Sequence, residues 1–148
     1  DNVTATAANY TVNVASSAPN AVVAINNSTL NGLCTVNVAA AGANVTVNNS
    51  TVNCNDNNTT SGEGYATLCL TSDAVGGKII ATNSTINVVE DSDSYQGRNG
   101  AEDGEVTING SDANVVITRA IITYDGSPYY YGFETLADAV KIIEKYMD

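Results

Sequence analysis

Histidine and tryptophan are absent from the 148 residues, proline occurs twice, and five basic side chains face sixteen acidic ones. Without histidine there is no imidazole general base, no Ser-His-Asp or Cys-His nucleophile system and no histidine metal site. The usual equipment of a hydrolase is missing, and the chain reads as a non-enzyme. Lys78, Arg98, Arg119, Lys141 and Lys145 are scattered. They supply neither the clustered phosphate contacts that nucleic acid needs nor a polybasic patch for an anionic membrane. No glycine-rich phosphate loop followed by lysine occurs; Gly97, Gly100 and Gly104 lie among polar and acidic residues. The longest strongly apolar run, residues 21–25, falls far short of the roughly 20 residues that cross a bilayer. Charge is also missing locally: from Asn2 to Asn55 no side chain carries one, so the net charge of -11 belongs to the rest of the chain. The length suits one domain with a core of its own.

Asn, Thr, Ser, Ala and Val fill the neutral half. With 20 Asn and 28 Ser plus Thr, random order would produce about 4 Asn-x-Ser/Thr triplets. The chain holds eleven, starting at Asn2, Asn9, Asn26, Asn27, Asn44, Asn48, Asn49, Asn57, Asn58, Asn83 and Asn109. Read as acceptors of N-linked glycans, they would hydrate a surface that lacks charge, and they imply a secretory route. Low complexity in Asn, Ser and Thr also generates such triplets. On the secreted reading the chain is the mature form, cut before Asp1, and located at the cell surface.

Cys34, Cys54 and Cys69 are an odd number. Cys34 alternates with Val36 and Val38, and Cys54 with Val52, whereas Cys69 is out of phase with Leu68 and Leu70. The expected bridge is therefore Cys34 to Cys54; three buried thiols are the alternative.

Periodicity is overwhelmingly two. Tyr10-Val12-Val14, Cys34-Val36-Val38, Val45-Val47 and Val106-Ile108 alternate with Asn or Thr, the mark of half-buried strands. One unit recurs, at residues 24–31, 46–53 and 81–87, with 108–111 as a looser copy. Two folds can produce it. In the first, Asn26-Asn27, Asn48-Asn49, Thr82-Asn83 and Asn109-Gly110 are hairpin turns, where Asn and Gly accept positive φ. The pairs Val23–Leu30, Val45–Val52 and Ile79–Ile86 then meet apolar to apolar. In the second, the units are successive coils of a right-handed parallel β-helix, which the first spacing of 22 residues suits and the later, longer ones require insertions to fit. The expectation is an all-β chain built as an antiparallel β-sandwich, with the β-helix as the alternative.

Residues 90–105 form an acidic excursion. Asp91, Asp93 and Glu102 fall at calcium-loop spacing, but the glycine comes one position late, so a calcium site and a solvated acidic loop both remain open. No other cofactor is required. At the C-terminus, Phe133, Leu136, Ala137, Val140, Ile143 and Met147 recur at helical spacing and predict an amphipathic helix over 132–147. Tyr124, Tyr129, Tyr130 and Tyr131 precede it and either seat the helix or contact sugars and surfaces. At the N-terminus, residues 1–17 read as an extended arm. Val3, Ala5, Ala7, Tyr10, Val12 and Val14 suit insertion into another subunit's sheet, or a first strand within the chain's own sheet.

An Asn/Thr/Val-rich, sequon-dense β-domain starting with an alternating arm resembles the subunits of archaeal extracellular threads and bundling pili, and of related bacterial biofilm fibres. That resemblance implies a homopolymer built by donation of the N-terminal strand. Residues 133–140 are similar to a segment of repetitive β-helix surface adhesins. The expected function is a secreted, N-glycosylated structural subunit of a cell-surface filament whose partners are identical subunits and other cells or surfaces. The alternative is a glycan- or surface-binding adhesin module.

Overall fold

A computed structural model of the chain describes residues 1–59, 64–118, 120–124, 127–133 and 135–146. Thirteen short strands wind through three sheets in cyclic order. The first coil contains β1 (Thr4–Thr6), β2 (Val12–Val14) and β3 (Val22–Asn26); the second β4 (Thr29–Gly32), β5 (Val36–Val38) and β6 (Asn44–Asn48). The third contains β7 (Thr51–Cys54), β8 (Ala66–Leu70) and β9 (Lys78–Thr82), and the fourth β10 (Thr85–Asn87), β11 (Tyr95–Asn99) and β12 (Glu105–Ile108), followed by β13 (Val115–Ile117). The sheet orders are β1-β4-β7-β10, β13-β11-β8-β5-β2 and β12-β9-β6-β3, and every pairing within them is parallel. This overturns the antiparallel sandwich. The winding is that of the alternative, a parallel β-helix.

The reason lies at one corner. Asn27, Asn49 and Asn83 do adopt positive φ, between 49° and 51°, but each is a single left-handed residue joining two walls, not half of a hairpin turn; only Asn109-Gly110, with φ of 53° and 79°, forms the expected two-residue turn, bridging Ile108 and Ser111 in antiparallel fashion. Asparagine tolerates this conformation because its short amide bonds locally. Residues equidistant from such a corner point into one interior from two walls, where a hairpin would set them face to face. Both arrangements demand apolar partners, so the pairs Val45–Val52, Val23–Leu30 and Ile79–Ile86 could not separate them. In the structure Val23 stacks on Val45, Ile79 and Val106, while Leu30 stacks on Val52 and Ile86. The 22-residue repeat is one coil, since Thr29 pairs with Thr51.

These stacked files, with Val36, Val38, Leu68 and Leu70 from the third wall, form one buried core. Strands buried on the inner side by β-branched residues suit such stacking. Polar ladders follow the same stacking outside it. Asn48 Nδ2 donates to Asn26 Oδ1 (2.9 Å), Asn53 Nδ2 to Asn31 Oδ1 (2.8 Å) and Asn87 Nδ2 to Asn53 Oδ1 (2.8 Å). At the corner the Ser28 amide donates to Ser50 Oγ (3.0 Å), the Ser50 amide to Ser84 Oγ (3.1 Å) and the Ser84 amide to Asn109 Oδ1 (3.0 Å). The recurring Asn-Ser-Thr unit is thus a corner in which asparagine turns the chain and a buried serine ties one coil to the next.

After β13, β14 (Ala120–Tyr124) and β15 (Ser127–Phe133) form an antiparallel pair, and α1 (Leu136–Tyr146) contacts both. Ala139 is buried, while Leu136, Val140 and Ile143 are exposed. Phe133 lies in β15, whereas Met147 lies outside the described residues. No helix among the described residues is long and apolar enough to cross a membrane.

Candidate binding groove

The outer face of the sheet β13-β11-β8-β5-β2 carries a file set by register. Asn13 neighbours Asn37, Asn37 neighbours Cys69, and Cys69 neighbours Arg98. A second file, Ala39, Thr71, Gly100 and Thr118, follows the strand ends, and its amides continue the coil-to-coil hydrogen bonds at 2.8–3.1 Å. Together they line a cavity of about 550 Å³, within the usual range for small-ligand pockets. Neighbouring strands are about 4.8 Å apart, so the span from Asn13 to Arg98 is roughly 14 Å along the helix axis.

Arg98 dominates the groove electrostatically. It is 8% exposed, its Nη2 donates to the Gly64 carbonyl (2.7 Å), and its guanidinium carbon lies 5.6 Å from the centre of the Tyr95 ring. Its Nε, fully buried, has no hydrogen-bond partner, and the buried Thr71 hydroxyl has none either. Sequence reasoning missed both. Arg98 sits in the stretch treated as an acidic excursion, yet residues 95–99 are β11, paired with β8 and β13. The inward position Gly97 is why this polar segment fits: a Cβ there would lie 2.9 Å from Val115 Cγ2 and 3.2 Å from Val106 Cγ1.

The strand also separates the calcium-type residues. Asp91 and Asp93 precede β11 and Glu102 follows it, so five extended residues stand where a ligand loop would curl. Asp91 and Glu102 are exposed, and no group of three metal-ligating side chains occurs among the described residues.

All three cysteines are buried free thiols, the alternative to a Cys34–Cys54 bridge. The Cys34 thiol shares a hydrogen bond with Cys69, and both pack with Ala66, Tyr65 and Tyr95 in a small cluster outside the main core. That bond, together with burial, pushes the Cys34 thiol up. The bond from Cys34 pulls Cys69 down to about 7; burial opposes this and the charge of Arg98 assists it. Cys54 stands apart beside Asp56 and Ser94, and burial raises it. Cys54 ends β7 beside Gly32, whereas Cys34 lies between β4 and β5, and Cys69, out of phase with the inward leucines, faces outward towards Cys34. Asp56 is a second residue with no sequence signal. Buried, it accepts hydrogen bonds from the Asn58 amide (3.1 Å), the Tyr65 amide (3.2 Å) and the Ser94 hydroxyl (2.8 Å), pinning the insertion between β7 and β8.

Among the sequon asparagines, Asn2, Asn9, Asn27, Asn44, Asn49, Asn57, Asn83 and Asn109 are exposed, and Asn26, Asn48 and Asn58 are partly buried. Asn26 and Asn48 are committed to the amide ladder, while the Asn109 amide bonds both the nitrogen and the carbonyl of Ser84. The arm folds back as the first coil: β1 pairs with β4 and β2 with β5. Val14 is buried and Ala5 and Val12 pack on the core, Ala7 is partly buried, and Val3 and Tyr10 are each 47% exposed. The side chains of Tyr124, Tyr129, Tyr130 and Tyr131 lie outside the described residues. Comparison with known proteins finds no matching family model, no matching curated protein and no matching solved structure.

Proposed function

We propose that the chain is a secreted, N-glycosylated structural subunit of an extracellular cell-surface filament, in which copies join through the strands of residues 1–14. The observation that carries this reading is the open first coil. β1, β2 and β3 each have a hydrogen-bonded neighbour on one side only, and the coil they form has no charged side chain after Asp1. Proteins ordinarily blunt exposed edge strands with lysine, proline or a covering segment. Here Val22 is 80% exposed on the edge strand β3. An unprotected, neutral edge suits parallel pairing with a further strand, and a neutral surface lets many identical copies pack without mutual repulsion. The exposed corner asparagines would carry the sugars that keep the lateral surface hydrated.

Two variants of the whole chain test the reading. Deleting residues 1–14 removes two edge strands, and Val22→Lys with Ala24→Lys places gatekeeping charges on the third. Each should abolish filament growth and leave a folded monomer by circular dichroism. Filaments that grow normally from both variants would refute it.

A further inference from the structure

We infer that the axial groove on the outer face of sheet β13-β11-β8-β5-β2 is a binding site for a short acidic oligosaccharide, a sugar chain bearing one carboxylate that pairs with Arg98. The site stands independently of the filament reading, since it lies on the side of the coils and not at their end.

An arginine that is only 8% exposed normally has a carboxylate beside it, because stripping water from an uncompensated charge is costly. Arg98 has a backbone carbonyl and an aromatic ring instead, and its Nε–H is unpartnered. Asp73 also lines the groove, but it is exposed and makes no ion pair with Arg98. Cys69, the neighbour of Arg98 on β8, accepts a hydrogen bond from the Cys34 thiol and feels the charge of Arg98, but its single sulfur does not match the guanidinium fork as a carboxylate does. Thr71, whose hydroxyl is also unsatisfied, lines the same cavity, so both orphan polar groups belong to residues of its wall. A planar carboxylate matches the guanidinium fork, and the hydroxyl supplies a further contact.

The rest of the lining selects the body of the ligand. Asn13, Asn37, Ser16 and Ser72 are neutral donors and acceptors, and Tyr10 offers a half-exposed ring. This is a surface for hydroxyl groups and for the apolar face of a sugar ring. Phosphate fits poorly. A dianion would meet one guanidinium, no second cation among the described residues of the lining, and Asp73 at the rim. An acidic peptide would present several carboxylates to the same single charge.

The test is calorimetric or NMR titration of the full chain with digalacturonate carrying one free and one esterified carboxylate. The controls are the fully neutral disaccharide and triglutamate. Saturable binding of the acidic sugar is expected, with both controls weaker by roughly ten-fold or more, the scale of one charged hydrogen-bonded pair. Arg98→Gln should abolish the preference. Thr71→Val guards against a misfolded Arg98 variant. Its hydroxyl has no internal partner, so the variant should melt no lower than the parent while binding roughly three- to ten-fold more weakly. Equal binding of the neutral sugar or of triglutamate would overturn the inference. So would undiminished binding in a folded Thr71→Val, or absence of saturable binding at millimolar sugar.

Discussion

Replacing Ser50 by alanine cuts the corner ladder at its centre, and the structure gives the cost. The Ser50 hydroxyl donates to the Asn48 carbonyl at 2.8 Å and accepts from the Ser28 amide at 3.0 Å. The carbonyl keeps a partner after the change, because it also accepts from the Asn27 amide at 3.0 Å. The Ser28 amide does not: Ser28 is 5% exposed, and no water reaches the stranded donor. A buried unsatisfied amide costs about 1–3 kcal/mol, so Ser50→Ala should destabilise by about 2 kcal/mol. Ser28→Ala is the matched control. It strands the amide of Val3, which is 47% exposed and open to water, and the Asn26 carbonyl still accepts from Asn2. About 0.5–1 kcal/mol is expected there. For a chain of this length 1 kcal/mol shifts the melting temperature by about 2–4 °C. Thermal melts followed by far-ultraviolet circular dichroism and by tyrosine fluorescence should therefore lower Ser50→Ala by roughly 4–8 °C and Ser28→Ala by less than half as much. Equal shifts, or a Ser50 variant that melts with the parent, would refute the stranded-donor argument.

Asp56→Ala removes the acceptor of two backbone amides and one hydroxyl and should cost about 3–5 kcal/mol, read as a lower urea midpoint. At the left-handed corner, Asn49→Ala should cost about 1–2 kcal/mol and Asn49→Gly almost nothing. The glycine variant keeps the Asn48-x-Ser triplet, so intact mass of secreted material should fall by one glycan if, as the ladder implies, the sugar sits on exposed Asn49 and not on hydrogen-bonded Asn48. A small disulfide reagent should oxidise Cys34 and Cys69 to a bridge by successive exchange, releasing two reduced thiols and leaving Cys54 free. The bridge should raise stability by about 3–4 kcal/mol on the loop-entropy model. Because Cys69 is drawn down to about 7 and Cys54 is raised, exchange should begin at neutral pH at the pair and only under alkaline conditions at Cys54. Peptide mapping that finds a Cys34–Cys54 bridge would contradict it.

Strand content was legible in the sequence because alternation of Val and Ile with Asn and Thr reports one buried face, whichever sheet the strand joins. The left-handed asparagines were legible too, since few other residues occupy that conformation. The pairing partner was not. Apolar symmetry about Asn26-Asn27 or Asn48-Asn49 is shared by hairpins and by corners of a coil, and the 22-residue spacing that favours coils is broken later by the insertion between β7 and β8. Arg98 escaped notice for a related reason. Its strand has Gly97 and Asn99 at inward positions, so no apolar alternation marks residues 95–99, and the acidic residues on either side disguised a strand as a loop. The Cys34 and Cys69 contact joins residues of different coils and depends on which wall each occupies, information that local phase does not carry.

Parallel coiling underlies the groove, the open edge and the corner ladder alike, and one crosslinking measurement tests it directly. Ala24 neighbours Thr46 on the outer face of adjacent strands, whereas a hairpin about Asn26-Asn27 would set Ala24 opposite Thr29. A short thiol-specific crosslinker applied to Ala24→Cys with Thr46→Cys, and separately to Ala24→Cys with Thr29→Cys, distinguishes them by peptide mass. Efficient linkage of 24 to 46 with little of 24 to 29 is the predicted result. The reverse pattern would contradict the parallel β-helix and everything built on it.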